Sequence, residues 1–174
     1  MDIKNQILSQ IDLEHNFDVY YRKIKVSFGM IDLLFLTPLV DSILLMETIK
    51  SIKQIRNKTL IQEKLSTPQV KYEEDVNALL NFFYYGEVLI FYRDLCFHAD
   101  CKKLPVRSID EPYSEKAIRG SRDGFNENLN TNIGLIRLRI KSPELCSDIL
   151  TVSKYSQISV CLVYLKDQAD LKIV

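Results

Sequence analysis

Apolar residues recur at different periods along the chain, and each change of period marks a new element. Ile3, Ile7, Leu8 and Ile11 fall at helical spacing, which predicts a short amphipathic helix at the start. Ile24, Val26 and Phe28 then alternate with Lys23, Lys25 and Ser27, the period of a half-buried strand. Gly29 interrupts, and the continuously apolar residues 31–36 predict a second strand that folds back on the first as a hairpin. Asp41 can cap the helix that follows, because its carboxylate can accept from N–H groups left unpaired in the first turn. Ile43, Leu44, Met46, Ile49 and Ile52 are assigned to the buried face of that helix.

Residues 56–71 are polar, contain Thr67-Pro68, and predict a frayed helix end and a loop. Helical period returns over residues 73–85, with Val76, Leu79, Leu80 and Phe83 on one side and Gly86 as the stop. Residues 87–92 and 95–99 read as strands flanking the turn-like pair Arg93-Asp94. Further on, Phe125, Leu129, Ile133, Ile136 and Ile140 predict one stripe of a helix that starts after Asp123. Its last turn carries Arg137, Arg139 and Lys141, cations that suit the helix dipole or a salt-bridged contact. Strands are expected at 149–152 and 160–165.

A weak repeat appears when residues 35–41 (Phe-Leu-Thr-Pro-Leu-Val-Asp) are laid on residues 164–170 (Tyr-Leu-Lys-Asp-Gln-Ala-Asp). Each copy ends a strand in an aromatic-Leu pair and places an Asp at the next cap position; a helix and a strand precede each. A chance match of such common elements is the competing reading. The repeat predicts an α/β (α+β) fold of two tandem mixed subdomains: residues 1–110, a linker at 111–124, and residues 125–174 as a helix plus a β-hairpin. The second unit is expected to be incomplete, stopping where its next helix should begin. Ile158, Val160, Leu162 or Tyr164 would then be partly uncovered.

Composition narrows the function classes. Of 174 residues, 47% are hydrophobic and 26% charged, enough for a buried core. Basic and acidic residues number 23 each, so no net field draws the chain to nucleic acid or an anionic membrane. The four cysteines lack a disulfide framework and fit a reducing compartment. The most apolar stretch, residues 30–46, is broken by Asp32, Pro38 and Asp41, short of the roughly 20 residues that cross a bilayer.

Candidate chemistry is sparse. Cys96, His98 and Cys101 offer soft ligands, but without the spacing and fourth ligand of structural zinc; they read as buried thiols in a strand with His98 at its wet edge. No metal or cofactor is assigned. The G-x-S-x-G elbow, the H-E-x-x-H pair and the phosphate loop are all absent, which points away from an enzyme. Gly120 and Gly124 bracket Ser121-Arg122-Asp123 before a helix, where backbone N–H groups can cradle an anion or merely permit a turn.

Glu111-Pro112, Glu115, the run from Ile118 through Gly120-Ser121-Arg122-Asp123-Gly124-Phe125 to Glu127, Thr131-Asn132 and residues 135–141 (Leu-Ile-Arg-Leu-Arg-Ile-Lys) resemble the N-terminal region of the GerA-type germinant receptor A subunits. In that family the segment looks like E-P-x-x-E-x-x-(I/V)-R-G-P-R-(D/E)-G-F-x-E, then T-N and a basic R-R-R-I-K helix. The chain departs from the pattern at Ser121 for Pro, at Leu138 for the middle Arg, and at Ser153 for a Gly.

The resemblance implies a non-enzymatic subunit of a complex in the spore inner membrane, assembled with B and C subunits and other A subunits, that helps convert nutrient binding into germination. It places this region on the cytoplasmic, spore-core side, with membrane attachment through a C-terminal region not in this chain. Arg119, Arg122, Asp123, Asn132 and Arg137 match the motif and are polar. They are expected to fix the contact between subdomains or subunits, with Arg119 and Arg122 reaching carboxylates such as Glu111, Glu115 or Glu127. A stand-alone small-ligand-binding module is the alternative.

Overall fold

The computed structural model describes residues 2–55, 70–103, 124–170 and 172. Helix α1 (Ile3–Ser9) starts at Asp2, whose side chain accepts from the Lys4 N–H, and buries Ile7. Strands β1 (Val19–Val26) and β2 (Gly29–Leu36) form the expected hairpin, paired from Val19 opposite Leu36 to Val26 opposite Gly29. A 3-10 turn (Thr37–Leu39) leads to α2 (Ser42–Gln54), and Asp41 caps it through the N–H groups of Ile43 and Leu44. β3 (Val70–Tyr72), α3 (Val76–Tyr84), β4 (Val88–Tyr92) and β5 (Leu95–Ala99) follow.

The strands form one antiparallel sheet in the order β1-β2-β4-β5-β3. Both of its faces are covered. Ile31, Leu33, Phe35, Val88, Ile90 and Phe97 point toward α2, which contributes Ile52 with Leu45 and Ile49. Leu34, Leu36, Leu89 and Phe91 point the other way, onto Ile7 of α1 and Leu79, Leu80 and Phe83 of α3. Two-sided burial explains why β2 and β4 read as continuous apolar runs rather than alternating ones.

Three expectations shift. α2 is rotated from its assigned face: Ile43 and Met46 are 67% and 56% exposed, and Leu45 lies inward instead. The helix carries more apolar residues than one stripe can hold, and sheet contact selects among them. Val70 and Lys71, read as the end of a polar loop, form with Tyr72 a strand at the sheet edge beside β5. His98, placed at a wet edge, is buried and stacked on Phe82 with ring centroids 3.9 Å apart.

The remaining described elements are α4 (Leu129–Arg139), β6 (Leu145–Val152) and β7 (Ile158–Leu165). α4 begins later than its apolar stripe suggested, because Asn126 accepts from the Asn128 N–H and Asn128 from the Thr131 N–H. These short side chains hold the backbone outside the helix, leaving Phe125 exposed. β6 and β7 pair from Leu145 opposite Leu165 to Val152 opposite Ile158, as a separate two-stranded sheet.

The two hairpins close alike. Thr37, just past β2, donates its N–H to the Asp18 carbonyl at 2.8 Å, and Lys166, just past β7, donates to the Glu144 carbonyl at 2.8 Å. Asp41 accepts from the N–H two residues on at 2.8 Å, and Asp170 does the same from Lys172 at 3.0 Å.

Candidate functional site at the junction of the hairpins

Arg137 lies one turn beyond the buried Ile133, on the face of α4 that meets the first sheet. Its guanidinium grips Asp18, the residue just before β1: Nε to Oδ2 and Nη2 to Oδ1, both 2.8 Å. Nη1 donates to the Leu145 carbonyl at 3.0 Å, and Nη2 also reaches Asn16 Oδ1 at 2.5 Å. The Ser147 hydroxyl donates to Asp18 Oδ1 at 2.5 Å. The two charged side chains are 2% and 0% exposed. A lone buried charge is prohibitive, so burial here depends on the fork geometry and on every neighbour that completes it.

The backbone crosses the same junction. Phe17 N–H donates to Ser147 O at 3.0 Å, and Ser147 N–H donates to His15 O at 2.8 Å, a parallel bridge between β6 and the lead-in to β1. Around the rim, His15 Nδ1 sits 3.2 Å from Asp148, which also accepts from the Tyr164 hydroxyl at 3.0 Å. Lys166 pairs with Asp12 at 2.5 Å, and that hydrogen bond holds the Asp12 carboxyl below its usual range despite desolvation. Lys141 lies over the Tyr85 ring, 3.4 Å from its centroid. Leu138 packs against the core formed by α1, α3 and the sheet.

A second charged cluster lies at the five-stranded sheet. Glu87 joins His98 Nδ1 at 2.5 Å and Lys102 Nζ at 3.0 Å. Burial opposes the Glu87 carboxylate, but the His98 and Lys102 hydrogen bonds outweigh it and hold its pKa below the ordinary value. Burial pushes the thiols of Cys96, Cys101, Cys146 and Cys161 up, so they stay protonated near neutrality. Among the described residues no group of three His, Cys, Asp or Glu side chains can hold a metal ion. A cleft of about 420 Å³ opens beside the junction, lined by Ser9, Gln10, Asp12, Pro143, Glu144 and Lys166 among others.

Of the motif residues, Arg119, Arg122 and Asp123 lie outside the described residues, as do the carboxylates Glu111 and Glu115 and the first part of the glycine-flanked turn. Asn132 ties down the approach to its own helix: Oδ1 accepts from the Asn126 N–H at 2.9 Å, and Nδ2 donates to the Asn126 carbonyl at 2.7 Å. Arg137 alone of the described motif residues reaches across the junction to Asp18. Its partners Asn16, Asp18 and Ser147 were not singled out from the sequence. The sole local hint was a polar Asn-x-Asp placed just before an apolar strand.

The arrangement is a clamp rather than a reaction centre: the cation is buried and its donors are directed at protein acceptors. No helix among the described residues is long and apolar enough to cross a membrane.

Comparison with known proteins agrees with the motif. Residues 6–174 match the family described as Bacillus/Clostridium GerA spore germination protein. Spore germination protein XA of Bacillus anthracis is 42% identical over 103 residues, covering 58% of this chain and 20% of that protein. Stage V sporulation protein AF of Bacillus subtilis is 26% identical over 176 residues, covering 95% of this chain and 36% of that protein. The chain therefore spans about a fifth to a third of the length of these relatives. The fold is similar to the N-terminal domain of the A subunit of the Bacillus megaterium spore germinant receptor GerK3, with a TM-score of 0.61 at 18% identity, over 98% of this chain and 64% of that one. With its motif, its fold and a match over nearly its whole length, the chain belongs to the Bacillus/Clostridium GerA spore germination protein family.

Proposed function

We propose that this chain is the N-terminal region of a germinant receptor A subunit, a non-enzymatic module that couples nutrient sensing to germination through contacts with B and C subunits at the spore inner membrane. The observation that carries the coupling role is the Arg137 clamp. A residue of the family motif holds the β6–β7 hairpin against the first sheet, so a displacement of one is passed to the other through a buried ion pair and the backbone bonds beside it. Two-domain modules transmit signals when their interface has a defined geometry that ligand or subunit contacts can bias. The units in this reading are residues 1–110 and 125–174, joined by the motif-bearing linker.

The test is germination of spores in which the full-length subunit carries Arg137→Lys. Lysine keeps the charge but not the fork. Nutrient-triggered release of dipicolinic acid should slow markedly while the subunit remains detectable in the membrane fraction. Normal release with normal subunit levels would refute the coupling role.

The cleft beside the junction supports a second reading, a small-ligand-binding module. It carries both charge signs, Asp12 and Glu144 against Lys166, as a zwitterionic ligand requires. That reading predicts a rise in melting temperature with an amino acid or sugar, lost in Lys166→Ala; no shift across such a panel would count against it.

A further inference from the structure

Strand β1 lies at one edge of the first sheet, laddered to β2 on its inner side. Among the described residues, β6 reaches the outer side at the Asn16–Ser147 bridge alone, before β1 begins. Because Ser27 and Phe28 are all that separate Val26 from Gly29, the pairs at Val26, Ile24, Arg22 and Tyr20 are the ones that exchange backbone bonds with β2. The Thr37 N–H on the Asp18 carbonyl continues the same series. Tyr21, Lys23 and Lys25 therefore turn their N–H and C=O groups outward, and among the described residues no backbone group meets them.

Native sheet edges are blunted by shortness, proline, a bulge or charge. β1 has 8 residues in uninterrupted register and no proline, so charge is what remains. That charge has one sign: residues 19–31 hold Arg22, Lys23 and Lys25 and no acid. All three are exposed, Arg22 on the α2 face with Ile24, the lysines on the opposite face with Tyr21. Among the described residues none of them has a carboxylate partner, whereas Lys4, Lys102 and Lys166 each have one. The far edge of the sheet, β3, is 3 residues long and runs into Glu73, Glu74 and Asp75. Cations on both faces of β1 repel a second β1 laid alongside, because like charges would stand opposite one another. They attract a strand that carries carboxylates at those places.

We propose that the outer edge of β1 docks an extended acidic segment of a partner protein, which adds to the sheet as a further strand. Main-chain bonds at Tyr21, Lys23 and Lys25 hold the segment, and carboxylates on its two faces meet Arg22 on one side and Lys23 and Lys25 on the other. The charge attraction speeds encounter and is screened by salt.

The probe is the peptide Thr-Glu-Val-Glu-Glu-Val-Val-Thr, which in antiparallel register sets its glutamates opposite Lys25, Lys23 and Arg22; the control peptide has lysine at those places. Amide hydrogen exchange of this chain, read by NMR at low salt, should slow roughly tenfold or more at Tyr21, Lys23 and Lys25 with the acidic peptide and stay unchanged with the control. Ile149 and Thr151 face outward on the edge of β6 as Ser147 does, and β6 carries no cation, so their rates should hold. Arg22→Gln combined with Lys23→Gln and Lys25→Gln alters exposed side chains only, should keep the parent melting temperature, and should weaken the peptide about tenfold. Binding without slowing at Tyr21, Lys23 and Lys25 would mean charge attraction with no added strand, and no binding at millimolar peptide would mean no site; either result overturns the proposal. So would equal slowing on β6, slowing that grows with protein concentration in the absence of peptide, which gives the edge to a second copy, or equal slowing by phosphatidylglycerol vesicles, which gives it to lipid.

Discussion

Arg137 and Asp18 are 119 residues apart in sequence and make a two-pronged ion pair, each N···O distance 2.8 Å. Removing one member leaves the other charged and buried, at a cost of about 3–5 kcal/mol; removing both with apolar residues is often near neutral. Chemical denaturation of Arg137→Met, Asp18→Leu and the double variant should therefore be strongly non-additive, the double variant being more stable than Arg137→Met alone. Additive losses would mean that the pair is not coupled.

Gly86 closes α3 in a double-bonded turn, with the Gly86 N–H on Phe83 O and the Glu87 N–H on Phe82 O, both 2.9 Å. Its φ is +89°, and a Cβ there would stand 2.8 Å from the Leu39 Cβ. Both strain and overlap oppose a side chain, so Gly86→Ala should lose about 2 kcal/mol or more, summing a left-handed penalty of about 1 and an overpacking term of similar size. Thermal unfolding measures it; an unchanged midpoint would be contrary.

Ser153 sits at φ +74° in the β6–β7 turn, a backbone conformation that favours glycine. Its hydroxyl accepts from the Tyr155 and Ser156 N–H groups, which offsets part of the backbone strain. Ser153→Gly should be at least as stable as the parent. Ser153→Val, with a branched Cβ and no acceptor, should fall by about 1–2 kcal/mol in urea denaturation.

The Glu87 cluster sets an acid limit. Because its folded pKa lies below the ordinary value of 4.5, its stabilisation is complete above that value and is lost as pH falls through the depressed folded value. The urea midpoint of the parent should decline below about pH 4.5. Glu87→Gln should show a shallower decline there.

Most of the five-stranded sheet and its helices was legible in the sequence because these elements carry local signals. Asp41 and Gly86 punctuate helices where they stand, and the hairpin announces itself by the alternation over residues 23–28 and the apolar run 31–36, although β1 reaches back to Val19. The face of α2 was misjudged because Ile43, Leu44, Leu45 and Met46 are all apolar and only contact with the sheet chooses Leu45. The motif pointed to Arg137, but nothing local distinguishes it from Arg139, two positions on at the exposed end of α4. Asp18 and Ser147 became its partners through tertiary contact alone, which a residue's neighbours in sequence do not encode.

Amide hydrogen exchange at Phe17 and Ser147 is the most direct measure of the clamp, since their N–H groups are the backbone bonds that cross the junction. In Arg137→Met, loss of about 3 kcal/mol should speed exchange at both amides roughly a hundredfold, while Leu34 and Leu89, inside the first sheet, keep their protection. Unchanged exchange at Phe17 and Ser147 in a folded Arg137→Met chain would contradict the account.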